Sequence, residues 1–350
     1  MTEADGTIEI RDAHRIDLDS LRRYLDGHLD GVAERFDVRQ FQGGQSNPTY
    51  LITTGAGRFV LRKKPPGKLL PKAHAIEREY RVMKALADTD VPVPRMRLLC
   101  EDESIVGTPF FVMDFIDARV ETDPGLAGMI RTERRPLYRS AVATLAALHT
   151  LEVEAVGLSD FGRPNSYVER QFNAWGTSYR ATETDPIPAM DKLMAWIPEH
   201  LPHADETAIV HGDFRMGNLM LDHHAPKVAS VLDWELGTLG HPLSDLGYFC
   251  TPFHLPNGIP GVRGVLGLDL AAQDLPDRDW VVETYCKLTG RDGVPDIDFY
   301  VAFNLFRLAA ILQGVYARGM AGNAANSDAA EVGKRAGLMA ETGWAIASKN

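Results

Sequence analysis

Cysteine is scarce in this chain and gives no framework for a disulfide-bonded or zinc-bound fold. The 350 residues include three cysteines, Cys100, Cys250 and Cys286, which are widely spaced and form no CxxC pair. A disulfide-stabilised secreted domain needs paired cysteines, and a structural zinc site needs closely spaced ones. We therefore expect reduced cysteines that serve in packing, and a cytoplasmic protein.

Positive charge and long apolar runs are also in short supply. The 37 Lys and Arg residues are outnumbered by 48 Asp and Glu residues, which gives a formal net charge of −11. Nucleic-acid binding relies on clustered Lys and Arg that neutralise phosphates, so no nucleic-acid partner is expected. The sequence shows no apolar run near the roughly 18 residues of a membrane span and no basic start followed by an apolar core. We therefore expect no membrane partner and no signal peptide.

The chain does have the composition of a folded protein and the length of two domains. Its first third is rich in strand-like segments, including a hairpin pattern around residues 55–57, with helical spacing at residues 17–30 and 74–88. Beyond about residue 125 helical spacing dominates, at residues 137–151, 167–181, 189–201, 277–290 and 298–319. We predict an α+β protein with an N-terminal lobe of residues 1–113 and a mainly helical C-terminal lobe of residues 114–350.

Two acidic motifs lie in the helical part of the chain. The stretch HGDFRMGNLML holds Asp213 and Asn218, and Asp233 follows the strand-like segment VASVL. A β-hairpin between the motifs would fold the second carboxylate back beside the first. Asn218 and Asp233 offer the oxygen ligands that Mg²⁺ prefers, and Asp213 could accept the proton of an attacking hydroxyl. The spacing H-x-D-x-x-x-x-N is the catalytic-loop pattern of phosphoryl transfer.

Turn formation and metal-dependent hydrolysis would also account for these motifs. Asp and Asn are favoured in turns, so Asp213, Asn218 and Asp233 could all be turn and capping residues. A metal-dependent hydrolase could instead use His211 and Asp213 with His223 and His224. The segment DHHAP is typical of a hairpin tip, however, where both of its histidines would point into solvent.

Six motifs together resemble one known family. The chain is similar to the aminoglycoside phosphotransferase and choline kinase branch of the protein-kinase-like fold, and most similar to the subgroup that includes the kinase-like domain fused to some acyl-CoA dehydrogenases. The motifs occur in the family's order, and the resemblance covers roughly residues 40–320: GGQSNPTYLI, FVLRKKPPG, IEREYRV, FFVMDFI, HGDFRMGNLML and VLDWELGTLGHPLSDLGYF. The resemblance implies a two-lobed kinase that uses ATP, or alternatively GTP, with Mg²⁺ to phosphorylate a small-molecule hydroxyl.

The resemblance also assigns roles within the two acidic motifs. It implies that Asp213 is the catalytic base and that Asn218 and Asp233 are magnesium ligands. The role implied for His211 is structural, beside the loop backbone. Asp245 resembles the acid that supports the catalytic loop from a following helix.

In the N-terminal lobe, Arg62 stands where the family has its phosphate-binding basic residue. A guanidinium fork can hold phosphate oxygens and a carboxylate at once. Lys63 should face the other side of the strand and is the alternative if the register is shifted by one residue. The partner acid should lie on the next helix, and the resemblance favours Glu79 over Glu77.

The remaining nucleotide contacts come from a loop and a strand. Gly44 and Ser46, in GGQSN, resemble the phosphate loop of small-molecule kinases. In FFVMDFI, Met113 would lie at the back of the adenine pocket. The backbone of Asp114 and Ile116 would bond to the edge of the base.

The acceptor is expected to contact helices of the C-terminal lobe, through Trp175, Arg307 and Tyr316. Arginines on apolar helices favour an anionic acceptor, although pairing with nearby acids would explain them equally well. The resemblance points to a hydroxyacyl-CoA or another anionic alcohol. An aminoglycoside acceptor and a nucleotide-binding pseudokinase are the alternatives, and the sequence leaves the oligomeric state open.

Overall fold

The computed structural model describes residues 6–42, 47–65, 75–202, 204–320 and 329–349. The chain divides into two compact units, one of residues 1–118 and 229–237 and one of residues 119–228 and 238–350. The first unit thus extends slightly beyond the predicted boundary at residue 113. It also includes the segment of Asp233, which the sequence-based division placed in the C-terminal lobe.

In its described residues, the first unit contains one antiparallel sheet of six strands and three helices. The strand order is β1-β2-β3-β4-β6-β5. The strands are β1 (Thr7–Ile8), β2 (Phe36–Phe41), β3 (Thr49–Thr54), β4 (Arg58–Lys63), β5 (Met96–Cys100) and β6 (Phe110–Asp114). The helices are α1 (Leu18–Asp26), α2 (Ile76–Leu86) and α3 (Glu103–Val106), and a 3-10 turn occupies Asp12–His14. The predicted hairpin around residues 55–57 is confirmed by the pairing of β3 with β4.

Side chains of the sheet alternate between its two faces, as a strand requires. Every second residue of the central strands, including Tyr50, Phe59 and Leu61, packs into a buried cluster with Leu21 and Leu25 of α1. Helix α2 packs against β5 and β6. Alternation therefore places Leu61 and Lys63 on the face of the α1 cluster and leaves Arg62 on the other face.

The second unit is mainly helical. Its helices are α4 (Arg131–His149), α5 (Tyr167–Thr182), α6 (Pro188–Glu199), α7 (Pro242–Cys250), α8 (Arg278–Thr289), α9 (Ile297–Met320) and α10 (Ala329–Ala347). Its short strands are β7 (Arg119–Val120), β8 (Ala208–Val210), β9 (Leu219–Leu221) and β11 (Thr238–Gly240), and β10 (Val228–Val231) runs from this unit into the first. Short 3-10 turns occupy Met216–Asn218 and Thr251–His254 in this unit, and Trp234–Leu236 in the segment that returns to the first. The chain therefore combines a strand-rich unit with a helical one, as the α+β prediction requires.

Helix α9 forms the centre of the second unit and packs against α5, α6, α7 and α10. By length and composition it is apolar enough to cross a membrane, so the expectation that no segment has this character was wrong. In the folded chain 72% of its most apolar window is buried. That burial is typical of a core helix, whose apolar faces are covered by neighbouring helices.

The catalytic-loop motif lies between two of the short strands. β8 pairs antiparallel with β11, and β9 pairs antiparallel with β7. After β9 the chain turns at Asp222, whose N–H donates to the Lys227 carbonyl, and β10 follows. The strands predicted on both sides of this turn are thus present, and His223 and His224 are exposed at its tip.

Candidate active site

The loop after β8 is held by a buried carboxylate. Asp245 of α7 accepts hydrogen bonds from the N–H groups of His211, at 2.6 Å, and Gly212, at 2.9 Å. The His149 ring lies 3.5 Å from the same carboxylate. Burial would raise the pKa of Asp245, but the hydrogen bond and charge of His149, the charge of His211 and the backbone donor outweigh it, so this pKa is lowered. Asp245 therefore holds the loop in place through two of its backbone N–H groups.

A second contact holds the loop through a carbonyl group. Gly212 has φ of 81°, a left-handed conformation that favours glycine. Its carbonyl oxygen accepts a 2.6 Å hydrogen bond from Arg307 of α9, which is 4% exposed. The Arg307 guanidinium also lies 4.9 Å from the centre of the Tyr248 ring. Arg307, expected to contact the acceptor, is instead buried against the catalytic loop.

Asp213 and Asn218 are joined directly. The Asn218 amide nitrogen donates to the Asp213 carbonyl, at 2.8 Å, and to Asp213 Oδ2, at 2.7 Å. Arg215 Nε lies 3.3 Å from the same carboxylate oxygen. His211 is fully buried, and its Nδ1 accepts from the Asp213 N–H at 3.2 Å. His211 thus orders the backbone of the loop, while the Asp213 side chain is half-buried.

In the first unit, one arginine contacts two acids. Arg62 Nε lies 3.1 Å from Glu79 Oε2, and Arg62 Nη2 lies 3.2 Å from Asp233 Oδ1. The Nε contact is an ion pair without hydrogen-bond geometry, whereas Nη2 hydrogen-bonds to both acids. Glu79 is 1% exposed and also accepts from Asn47. Arg62 of β4 thus contacts both a buried glutamate and a more exposed aspartate.

Lys63 and Glu77 form different contacts. Lys63 lies on the opposite face of the strand, where its ammonium donates to the Val106 carbonyl at 2.6 Å. Burial lowers the pKa of Lys63. Glu77 pairs with Lys64. Arg62 and Glu79 are therefore the basic and acidic residues that meet, and Lys63 points away from them.

The Glu79 carboxylate is buried beside other acids. Burial raises the pKa of Glu79 to about 7, against the opposing effect of the Arg62 charge. The Asp233 and Glu235 charges raise it further. The protonation state of Glu79 therefore changes near neutral pH.

Asn218 and Asp233, which belong to different units, each carry an oxygen donor of the type that Mg²⁺ prefers. The Asn218 amide nitrogen is turned to Asp213, which leaves its oxygen for another partner. Asp233 has φ of 65°, an uncommon conformation for a non-glycine residue that occurs at functional sites. A carboxylate and an amide oxygen, completed by phosphate oxygens, fit Mg²⁺. In the described part of the chain no three His, Cys, Asp or Glu side chains form a metal-binding group.

The expected base-binding strand is β6. Met113 is 9% exposed, and the Asp114 N–H donates to the Arg95 carbonyl. In a hydrogen bond between the Asp114 backbone and a nucleotide base, the base would therefore donate and the Asp114 carbonyl oxygen would accept. The Asp114 carboxylate pairs with Arg97. Gly44 and Ser46 lie outside the described residues.

A cavity of about 170 Å³ in the second unit, open to solvent, lies beside the catalytic loop. Its lining includes Arg215 and Arg263, which we call the arginine pair, and Tyr248. The rest is mainly apolar, with an apolar wall of Leu255, Leu308, Leu312 and Met339. Burial, together with the charge and hydrogen bond of Asp213, raises the pKa of the Tyr248 phenol.

The residues predicted for the acceptor do not line this cavity. Trp175 donates to Gln171 on its own helix, and Tyr316 packs against Gly333 of α10. Sequence reasoning also missed Arg215, although it lies inside the motif, and Arg263, which belongs to no motif. Only the folding of the loop before α8 brings Arg263 to the cavity.

Comparisons with known proteins identify the family of this chain. The model of the phosphotransferase enzyme family matches residues 37–281. Mouse acyl-CoA dehydrogenase family member 10 is 43% identical over 348 residues, which is 98% of this chain and 32% of that protein. Human acyl-CoA dehydrogenase family member 11 is 38% identical, over 97% of this chain and 44% of that protein. The chain therefore spans less than half the length of these curated relatives.

Solved structures share the fold. A Ralstonia eutropha protein, provisionally described as an aminoglycoside phosphotransferase, is 46% identical with a TM-score of 0.88, over 96% of this chain and 99% of that one. Choline kinase from Cryptosporidium parvum has a TM-score of 0.65 at 10% identity, over 93% and 95% of the two chains. The second likeness shows the fold alone, which is kinase-like. By its family match, its close relatives and its fold, the chain belongs to the phosphotransferase enzyme family, whose acceptor is a hydroxyl group.

Proposed function

We propose that the chain transfers the γ-phosphate of a nucleotide to the hydroxyl of a small molecule. The observation that carries the proposal is the Asp213 carboxylate, which shares a hydrogen bond with Asn218 in a loop held by Asp245 and Arg307. A fixed carboxylate followed at this spacing by an asparagine is the arrangement that phosphoryl transfer uses.

The proton and phosphoryl group move in one displacement. The acceptor oxygen forms a bond to the γ-phosphorus while the bond from that phosphorus to the bridging oxygen breaks. The hydroxyl proton passes to Asp213, and the nucleoside diphosphate leaves with the bridging oxygen. Asn218 and Arg215 hold Asp213 Oδ2, which orients the carboxylate for this transfer.

The nucleotide is ATP in this proposal, with GTP as the alternative. Arg62, fixed by Glu79, would hold phosphate oxygens, and Asn218 and Asp233 would hold Mg²⁺. Bound Mg²⁺ would offset the negative charge of the phosphates. Gly44 and Ser46 would contact phosphates, and Met113, Asp114 and Ile116 the base. Nucleotide use is supported by a fold neighbour, a spectinomycin phosphotransferase solved with ADP and spectinomycin.

The proposed acceptor is an anionic alcohol, with a hydroxyacyl-CoA as the leading candidate. The names of the relatives, which refer to acyl-CoA dehydrogenases, support it. A polycationic aminoglycoside would need carboxylates to receive it, whereas the cavity beside Asp213 presents the arginine pair. We propose a cytoplasmic protein without nucleic-acid or membrane partners.

Thermal shift with nucleotide tests the nucleotide site. We expect ATP with Mg²⁺ to raise the melting temperature of the wild type more than ATP alone does. Asp233→Asn should lose most of the magnesium-dependent part, because an amide is a weaker ligand than a carboxylate. Asn tolerates a left-handed backbone, so the variant should keep the conformation of residue 233.

Asp37→Asn is the matched control, because it makes the same change at an exposed strand position of the same unit. Its response to ATP and Mg²⁺ should equal that of the wild type. A wild type that responds to no nucleotide would contradict the proposal. Nucleotide binding without phosphorylation of any hydroxyl compound in an acceptor screen would identify a pseudokinase.

A further inference from the structure

The cavity beside the catalytic loop combines features that belong to different parts of one ligand. Its inner lining is apolar, and two guanidinium groups lie in the same lining. Such a combination, a mostly apolar cleft with a few polar groups, is typical of small-molecule sites. The role of the arginine pair in this cavity determines which class of ligand binds there.

The two guanidinium groups of the arginine pair are neighbours. A methyl group built on Gly217 would lie 2.3 Å from Arg215 Nη1 and 2.9 Å from Arg263 Nη1, so both groups converge over this glycine. A Cβ atom at this point would therefore displace the ends of these arginine side chains. Like charges this close repel each other unless an anion lies between or beside them.

The protein supplies a carboxylate partner to only one of the two arginines among the described residues. Arg215 contacts the Asp213 carboxylate at 3.3 Å. Within the described ranges no Asp or Glu carboxylate lies within ion-pair distance of Arg263, although Asp213 acts on it from further away. Partial burial of the head group, together with the Arg215 charge, lowers the pKa of Arg263, although much of its side chain is exposed. The pair thus carries one cation more than its carboxylate neutralises.

Apolar residues continue from the arginine pair into the unit. Leu308 and Leu312 of α9, with Met339 of α10 and Leu255, form the apolar wall. Leu255 and Met339 are each 4% exposed, so this surface is part of the core and is fixed in place. An alkyl chain on this wall would be shielded from water.

We propose that this cavity is the acceptor subsite, in which the arginine pair binds an anionic group of the acceptor and the apolar wall binds its alkyl chain. The inference rests on the proposed phosphotransferase function and assigns the charge specificity of that function to Arg263. The anion is either the carboxylate of a hydroxy acid or a phosphate of a CoA thioester. Arg263 is a specificity-determining residue in this arrangement. It binds the anionic group of the acceptor and does not lie within ion-pair distance of Asp213, the proposed catalytic base.

Calorimetry without nucleotide tests the subsite independently of phosphoryl transfer. The probes are 3-hydroxyoctanoate, its neutral methyl ester and 3-hydroxyoctanoyl-CoA. We expect the acid or the thioester to bind the wild type about tenfold or more tightly than the ester, because a charged hydrogen bond to an arginine stabilises only the anions. The anionic probe that binds better identifies the source of the anion.

Arg263→Gln should remove this preference and leave binding of the ester unchanged, and Arg263→Lys should restore part of it. Arg170→Gln is the matched control. It removes the same charge from a helix of the same unit, where Arg170 bonds to the Arg163 carbonyl and does not line the cavity. It should keep the wild-type preference. Unfolding temperatures of all variants, measured in parallel, separate loss of binding from loss of folding.

Three results would overturn the inference: no binding of any probe, equal binding of acid, thioester and ester, or a charge preference that survives in Arg263→Gln. None of them depends on the nucleotide. If Mg²⁺ with ATP still raises the melting temperature while the anions fail to bind, the subsite is wrong and the phosphotransferase proposal stands. If instead the anions bind and Mg²⁺ with ATP leaves the melting temperature unchanged, the nucleotide proposal is wrong and the anion site stands.

Discussion

Asp213 uses one carboxylate oxygen, Oδ2, for its contacts with Asn218 and Arg215. Replacement by Asn keeps the shape of the side chain but removes the group that takes the proton. We expect Asp213→Asn to lower kcat by roughly 10²- to 10⁴-fold, the usual contribution of a positioned general base. Steady-state kinetics with the best acceptor of the screen measure this loss.

Asp222→Asn is the control for Asp213→Asn. Asp222 accepts from the backbone of His224 in the turn after β9 and contacts no residue of the catalytic loop in the described structure. Its kcat should stay within about twofold of the wild type. Equal losses in the two variants would mean that Asp213 acts through folding and not as a base.

Glu79 should make stability depend on pH. Its pKa of about 7 in the folded chain lies above the ordinary 4.5, so the folded state retains a proton that the unfolded chain has lost. The stabilisation is therefore fully present below pH 4.5 and disappears as the pH rises through 7. Relative to Glu79→Gln, the wild type should lose roughly 3 kcal/mol of unfolding free energy between pH 4.5 and 8.

Urea unfolding at several pH values measures this difference. Glu77→Gln serves as the comparison, since Glu77 lies on the same helix and pairs with Lys64 at a more exposed position. Its difference from the wild type should show no such fall near pH 7. Parallel pH curves for the wild type and Glu79→Gln would show that Glu79 is already ionised at low pH.

Much of the candidate site could be read from the sequence at the level of single residues. Strand alternation is sufficient to separate Arg62 from Lys63, and a motif spacing brings Asp213 to Asn218. Arg263 could not be found in this way. It reaches the cavity through a long connection without regular spacing, and only the tertiary fold determines where such a loop leads.

At the level of secondary structure, the loop after β8 depends on the left-handed backbone of Gly212. A Cβ atom there is strained, so Gly212→Ala should cost about 1 kcal/mol of stability or somewhat more. It should also shift the carbonyl that Arg307 holds, and with it Asp213. Since small displacements of a reacting group are costly, we expect kcat to fall roughly tenfold or more.

Gly258→Ala isolates the contribution of backbone strain. Gly258 has φ of 82°, and a Cβ atom there would meet nothing within 4 Å. The two variants should lose similar stability in thermal unfolding, but only Gly212→Ala should lose turnover. A Gly212→Ala enzyme with normal kcat would show that the loop tolerates the shift.

The helices and strands were predicted well where a periodic pattern is long. Helix α9 was expected at residues 298–319 and occupies Ile297–Met320. Helix α4 was expected from residue 137 but begins at Arg131, with Pro136 inside the helix. Strands of two or three residues, such as β7 and β8, have too few side chains for a period to show.

At the level of the whole molecule, burial decides how the most apolar helix behaves. Because 72% of its most apolar window is covered, helix α9 should give the folded chain no affinity for lipid. In a flotation assay with phosphatidylcholine vesicles we expect the folded protein to stay in the dense fraction.

A synthetic peptide of residues 297–320 is the positive control for the flotation experiment. It exposes the same apolar side chains without their covering helices, so it should float with the vesicles. Flotation of the intact chain would show that the helix, or another surface, leaves its folded position at the membrane.

The division of the chain into units was only partly readable from the sequence. A change from strands to helices marks the first boundary near Ala118, because composition and periodicity both change there. The return of residues 229–237 to the first unit leaves no such mark. It depends on contacts between segments far apart in the chain, including the ion pair of Arg62 with Asp233.

That ion pair has a consequence for the order in which ligands bind. In the proposed site a cation bound to Asp233 Oδ1 would compete with the Arg62 guanidinium, and a phosphate bound to Arg62 would free that oxygen for the cation. The two ligands would therefore share a coupling free energy, typically about 1–3 kcal/mol, and each would raise the affinity of the other by the same factor. Free Mg²⁺ should bind weakly, and the metal and the nucleotide should arrive together as one complex.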